Sequence, residues 1–318
     1  MLRSFFIYLS KASWAQSLIM GWGIAWRTAS RFIAGTGLED ALQAVRKLNA
    51  RGINTTLDHL GEHTESVEAA RQAADSICSI LEALERTGIC SNVSIKLTQI
   101  GMGLDTDLCH QNLARVCETA REKKNFVRID IEDTPYTDQT FELYDQMRSL
   151  GFDNLGVAIQ AYLYRSANDA RELLAKGARI RLVKGAYQEP PDKAYPQKKD
   201  VDANFDLLAR MLLDSSLAAD SRLSDDCRIP PVPAIATHDE ARIRACVDYA
   251  ERIGLPKNGL EFQLLYGIRR DLQERLASDG YPVRIYVPFG AHWYPYYMRR
   301  LAERPANIWF FVSNFFHK

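Results

Sequence analysis

From about residue 50 onward, short β-branched runs that end in polar residues alternate with longer stretches whose apolar positions recur every three to four residues. Eight runs read as strands, over 53–60, 92–98, 126–132, 155–162, 179–186, 234–237, 260–266 and 283–288. Eight amphipathic stretches read as helices, over 65–87, 107–122, 138–149, 167–175, 203–217, 239–252, 269–277 and 293–303. Several strands are apolar at consecutive positions, as strands covered on both faces should be. Eight strand–helix units in this length predict an α/β fold, a (βα)8 barrel, from residue 51 to 318, preceded by an N-terminal helical arm over 1–50. An open doubly wound sheet is the alternative, but no G-x-G-x-x-G follows the first strand. The stretch between the fifth and sixth strands is about twice as long as its counterparts. It opens with Glu189-Pro190-Pro191 and contains Lys198-Lys199-Asp200. Because it follows a strand's C-terminal end it reads either as a solvated loop or as a lid.

Composition narrows the function classes. The chain is 47% hydrophobic and 25% charged, an ordinary globular balance. Forty basic residues balance forty acidic ones, so a general nucleic-acid binder, which needs a basic footprint, is not expected. The six cysteines form no C-x-x-C pair and no zinc spacing, which points to a reducing, cytoplasmic setting without a metal site. Residues 1–34 carry Arg3, Lys11, Arg27 and Arg31, no acid, and Trp14, Trp22 and Trp26. The uncharged run 12–26 is shorter than the ~20 residues of a spanning helix. Either the arm packs on the domain, or it forms a basic, tryptophan-bearing surface for peripheral contact with the inner face of a membrane.

In a barrel, chemistry comes from the C-terminal ends of strands. Those ends carry Asp58 to Glu62, Lys96, Arg128 with Asp130 and Glu132, Gln160, Arg181 with Lys184, Thr237 with His238, and Tyr286. Arg128, Asp130 and Glu132 alternate onto one strand face, and an inward charge there must be paired or bound to a ligand. A structural ion-pair network of Arg128, Asp130 and Lys96 accounts for any one of them; so many charged strand ends together indicate a site. Lys96 and Lys184 are each candidates for a Schiff-base lysine. Arg181-x-x-Lys184-Gly185-Ala186 also reads as an anion cradle. On the last helix Tyr296, Arg299, Arg300 and Glu303 fall at i, i+3, i+4 and i+7, one face. Two adjacent arginines under a tyrosine can hold a carboxylate and cover it with a ring.

Several of these segments together resemble one family. Arg181-Leu182-Val183-Lys184-Gly185-Ala186-Tyr187, Ala236-Thr237-His238, Glu261-Phe262-Gln263-x-Leu265-Tyr266-Gly267 and the run 296–307 look like proline dehydrogenase, and Asp58-His59-Leu60-Gly61-Glu62 and Arg128-Ile129-Asp130 fit the same pattern. The match runs in order from about residue 50 to 310, and resembles the single-activity enzyme without a fused aldehyde dehydrogenase. The resemblance implies a distorted (βα)8 barrel that binds FAD without a dinucleotide fold, with the last helix over the barrel mouth. It implies oxidation of L-proline to Δ1-pyrroline-5-carboxylate, the first step of proline catabolism to glutamate. Electrons would pass to a quinone, and the product to a separate pyrroline-5-carboxylate dehydrogenase. Carried over by residue, it puts Arg299 and Arg300 on the proline carboxylate and Glu303 behind them, and shapes the ring pocket with Lys96, Tyr286 and Tyr296. Gln160, Arg181, Lys184, Gly185, Ala186, Tyr187, Thr237 and His238 would contact the flavin, with Arg181 on its pyrimidine side. Arg128 and Asp130 would line the same cavity. Asp58 and Glu62 would support the end of the first strand, and Glu62 would pair with a lid arginine on closure. Three alternatives remain at this point: a hydroxyproline oxidase of the same superfamily, a lysine-dependent barrel aldolase, and a flavin-free carboxylate-binding protein.

Overall fold

The computed structural model describes residue 9, residues 23–61 and residues 63–303 of the chain. Eight parallel strands close into a barrel in chain order: β1 (Asn54–His59), β2 (Ser91–Ile95), β3 (Val127–Ile129), β4 (Leu155–Gln160), β5 (Arg179–Val183), β6 (Pro233–Ala236), β7 (Glu261–Leu265) and β8 (Val283–Phe289). Closure is made by β8 on β1, with Asn54 opposite Arg284, Thr56 opposite Tyr286 and Asp58 opposite Pro288. All eight expected strands are present. The third is much shorter than the expected 126–132, its last cross-strand backbone bond running from Asp130 N–H to Ile95 O at 2.8 Å.

Ten helices are described: α1 (Gly23–Ala29), α2 (Leu38–Asn49), α3 (Val67–Thr87), α4 (Thr106–Glu122), α5 (Thr137–Ser149), α6 (Ser166–Ala175), α7 (Lys198–Ala218), α8 (Glu240–Arg252), α9 (Arg270–Ser278) and α10 (Trp293–Glu303). Their ends follow local chemistry. The Ser66 side chain accepts from Ala69 N before α3, and Gly88 ends that helix at φ +65°. Strand alternation divides the wall in two. Leu57, Val93, Ile129, Val157, Leu182, Ile235, Phe262 and Ile285 belong to the hydrophobic core, which lies between wall and helices. The other face of β1, β2, β3, β5, β7 and β8 carries Asp58, Ser94, Arg128, Arg181, Gln263 and Arg284, buried inside the barrel. The interior is therefore polar, and stands only because its groups are paired.

Two features of the layout position the site. First, α2, assigned to the arm by an arm–barrel boundary after residue 50, packs against β1 and β8 with Ala41, Leu42, Val45 and Leu48 in the main core. It fills the place in the outer ring next to β8. Second, α10 packs instead in a separate cluster with Ala29, Phe32, Ile33 and Leu60. Trp26 meets Trp293 edge-on with ring centroids 5.4 Å apart, and Thr28 Oγ1 lies 2.6 Å from Tyr297 OH. The stretch after β5 is also shorter than expected. Lys198-Lys199-Asp200 forms the first turn of α7, where Lys198 pairs with Asp202 one turn on. The remaining loop is pinned by an antiparallel bridge between Leu163 and Ala194 and by the rings of Tyr164 and Tyr195, 4.5 Å apart.

Candidate active site

A cavity of about 580 Å³ opens at the C-terminal ends of the strands, within the range of about 300–1,000 Å³ usual for small-molecule sites. β2, β3, β4, β5 and β6 each present a polar residue at or just past their ends, Lys96, Asp130, Gln160, Lys184 and Thr237, and β8 presents Tyr286 from its middle. α10 adds Tyr296, Arg299 and Arg300.

At the barrel axis Asp130 collects donors. Its Oδ1 pairs with Arg181 Nη1 and accepts from Ser94 Oγ at 3.0 Å, and its Oδ2 accepts from Tyr286 OH at 2.8 Å. Lys96 Nζ donates to Asp58 Oδ1 at 3.1 Å and to Tyr286 OH at 3.3 Å, and lies 3.8 Å from Asp130 Oδ2. Arg181 Nε donates to Gln263 Oε1 at 2.6 Å, and its guanidinium lies 5.4 Å from the centre of the Tyr286 ring. Burial beside Asp130 and Asp58 holds the Tyr286 phenol well above its ordinary value, so it remains a neutral donor. On α10, the Arg300 guanidinium lies over the Tyr296 ring at 5.1 Å.

The opposite side of the cavity is built from β4 to β6. Gln160 Nε2 donates to Glu132 O at 2.9 Å, and Gln160 Oε1 receives the Ala186 N–H at 3.4 Å. Lys184 Nζ pairs with Asp202 and with Asp239 Oδ2 at 2.6 Å. Burial acts to raise the Asp239 carboxyl, but the Lys184 ammonium overrides it and holds the group at about 2. Leu265 N–H donates to His238 Nε2 at 3.1 Å, so the proton of the neutral imidazole sits on Nδ1. Gly185 adopts φ +123°, and a Cβ there would lie 2.3 Å from the Tyr162 ring. Glycine thus brings the 184–187 backbone against the cavity. Amide, guanidinium, ammonium, imidazole and hydroxyl groups surround an apolar patch of Ala158, Val183 and Leu264. That donor set fits a flat polar heterocycle with an anionic tail.

A family model described as proline dehydrogenase matches residues 41–312. The chain belongs to the proline dehydrogenase family. It is accordingly an oxidoreductase, and its fold is a (βα)8 barrel. It is 41% identical over 295 residues to the proline dehydrogenase of Deinococcus radiodurans, covering 91% of this chain and 90% of that one. It is 35% identical over 309 residues to proline dehydrogenase 2 of Bacillus subtilis, covering 97% and 96%. Among solved structures it is similar to proline utilization A from Bdellovibrio bacteriovorus, inactivated by N-propargylglycine. The TM-score there is 0.78 at 27% identity, covering 88% of this chain and 33% of that longer one.

Of the proline dehydrogenase residues singled out from sequence, Lys96, Asp130, Gln160, Arg181, Lys184, Gly185, Ala186, Tyr187, Thr237, His238, Tyr286, Tyr296, Arg299 and Arg300 all line this one cavity. Arg128 does not. It lies deeper in the barrel, donating to Val157 O at 3.1 Å and to Arg179 O, with its guanidinium 5.0 Å from the Phe126 ring. These contacts hold its guanidinium against the barrel wall. Gly156 makes room, since a Cβ there would meet Arg128 Nη1 at 2.7 Å. Glu303 ends α10, but its side chain, like the whole of Glu62, lies outside the described residues. Sequence reasoning missed four residues as site components: Gln263, which holds Arg181, Asp202 and Asp239, which hold Lys184, and Lys198 on the cavity wall. Gln263 was reachable, two residues from Glu261 on the same strand face. Asp202 was not, because the turn that presents it had been read as loop.

Proposed function

We propose that this chain oxidises L-proline to Δ1-pyrroline-5-carboxylate with FAD held in the strand-end cavity, the electrons passing to a quinone. The observation that carries the reading is a single cavity shared by the two arginines of α10 and the strand-end polar set. The arginines stand for carboxylate binding, and Gln160, Arg181, Lys184, the 185–187 backbone, Thr237 and His238 for the cofactor. When bound, FAD supplies a two-electron acceptor for the hydride from the carbon next to the ring nitrogen.

The chain's own residues perform the remaining tasks. Arg299 and Arg300 grip the carboxylate and fix which ring face is presented. Tyr296, under Arg300, and the rest of α10 cover the ligand and exclude water. Tyr286 OH, tied to Asp130, and Lys96 bound the ring on the barrel side, and the phenol disfavours a hydroxylated ring, which supports proline over hydroxyproline. Lys184 is drawn to Asp202 and Asp239, which supports a salt bridge in place of a Schiff-base amine. Arg181 places a fixed positive charge by the cofactor cavity, suited to stabilising negative charge that develops on reduction.

The visible spectrum of the purified protein, before and after anaerobic L-proline, tests the reading. A flavin spectrum that bleaches with proline is expected. A flavin that proline leaves oxidised would refute the substrate, and protein without flavin after added FAD would refute the cofactor. The quinone and membrane parts of the proposal rest on lipid-soluble acceptors and on the basic, tryptophan-bearing arm; among the described residues no helix is long and apolar enough to cross a membrane. Liposome co-sedimentation of the full chain against protein lacking residues 1–22, which leaves α1 and α2 in place, tests the membrane part, with loss of binding on deletion expected.

A further inference from the structure

The N-terminal ends of the strands, opposite the cavity, meet a short plug formed by residues 224–229, just before β6. The plug is tied to itself: Ser224 N–H donates to Ile229 O at 3.0 Å, Ile229 N–H to Ser224 Oγ at 2.9 Å and Cys227 N–H to Ser224 O at 2.8 Å. It is tied to the wall through inward strand positions. Asn92 of β2 donates its amide to Arg228 O at 2.8 Å, and Arg284 of β8 donates Nη2 to Cys227 O at 2.7 Å. Cys90 lies two residues before Asn92, where alternation keeps it on the same inward face. Its carbonyl continues the ladder, accepting from Thr55 N–H at 3.2 Å. The wall thus brings Cys90 to the plug at Cys227, and the two thiols share a side-chain hydrogen bond. Both are free, and both residues are half-buried, within reach of a small reagent. Cys227 holds φ +61°, uncommon for a residue with a side chain, and the bonds at its N–H and carbonyl keep it there.

We propose that Cys90 and Cys227 are a redox-sensitive pair whose disulfide staples the plug to β2. The site lies at the far end of the barrel from the cavity and does not depend on the reaction assigned there. The oxidant is a low-molecular-weight disulfide such as oxidised glutathione. The Cys90 thiolate attacks one of its sulfurs, and one glutathione leaves as the thiolate. Cys227 then displaces the second, its proton going to the departing sulfur. Two protein thiols lose two protons and two electrons, and one small disulfide becomes two thiols. The surroundings set that order. Burial and the Cys90 thiol push the Cys227 thiol up to about 11, so it keeps its proton at neutral pH. It suits the resolving step, where contact with its partner does what ionisation would otherwise do.

The test treats the FAD-loaded protein with excess oxidised glutathione and counts thiols after denaturation. The count should fall from six to four, and dithiothreitol should restore it. Peptide mapping without reductant should join residues 90 and 227. The bond closes a long loop in the unfolded chain, so the urea midpoint should rise by roughly 0.5–1 M. In Cys227→Ser the reaction should stop at its first step, with one glutathione on Cys90. In Cys90→Ser all remaining thiols should persist. An unchanged count in the unsubstituted protein overturns the proposal. So does a bond between any other two cysteines, glutathione retained in place of the bond, or a bond that leaves the urea midpoint unmoved. Glutathione on Cys227 in Cys90→Ser overturns the order of attack. Should a serine variant fail to fold, the count, map and midpoint of the unsubstituted protein decide.

Discussion

The floor of the barrel offers a prediction that is independent of the ligand. Arg284 and Glu261 are both wholly buried, with Nε to Oε1 at 2.8 Å. Arg284 also donates to Thr55 O and Cys227 O, each at 2.7 Å, and Glu261 Oε1 also accepts from Gln263 Nε2 at 2.7 Å. In Arg284→Met the carboxylate keeps one neutral donor and loses its counter-charge, and two carbonyls lose a donor. Breaking a buried pair from one side costs about 3–5 kcal/mol. At about 2 °C per kcal/mol for a chain of this size, the thermal midpoint should fall by roughly 6–10 °C. The double variant Arg284→Met/Glu261→Gln removes the stranded charge and should recover at least half of the loss. Urea unfolding followed by circular dichroism measures all three proteins. A loss below about 1 kcal/mol in the single variant would refute the reasoning, as would a double variant no better than the single.

Arg300→Met should lower kcat/KM for proline by about 2–4 kcal/mol, mostly through KM, with flavin content unchanged; unaltered steady-state kinetics would sink the carboxylate assignment. Gly185→Ala places a side chain where φ is +123° and Tyr162 is in the way, so FAD retention after gel filtration should fall and the backbone strain cost on the order of 1–3 kcal/mol. The carboxyls of Asp202 and Asp239 are held below their ordinary range, Asp239 at about 2. A depressed folded-state value stabilises above the unfolded value and fades as pH falls through the folded one. The stability difference between the unsubstituted protein and Lys184→Met, about 1 kcal/mol for these partly exposed pairs, should therefore be full above about pH 5, shrink as pH falls, and be gone only below the folded-state value of about 2. Urea midpoints across that window check it.

Strand periodicity made the barrel legible because the wall is apolar on the side that faces the helices, and a run such as 155–160 carries that signal locally. The strand-end residues were legible because polar groups interrupt those apolar runs at the same place in each unit. Placements set by partners far along the chain were not. Arg128 and Arg181 look alike in sequence, each on an inward strand position. Gly156 and the carbonyls of residues 157 and 179 draw the first into the wall, while Asp130 and Gln263 hold the second at the cavity. Likewise nothing local in 38–49 tells an arm helix from a ring helix. Its amphipathic face would suit either, and the groove it fills belongs to β1 and β8.

That groove has a consequence for how the chain reaches its native state. α2 is made early in synthesis, yet half of its seat is β8, some 235 residues later, so the cylinder cannot close until most of the chain is available. Pairings this distant in sequence carry a large loop-closure entropy and slow folding. Until β8 arrives, the apolar side of α2 and the open edge of β1 are both exposed, and they are the surfaces on which a chaperone or an aggregate would act. The roof helix α10 has no part in that closure, so a chain ended after β8 should still form the wall while losing its cover.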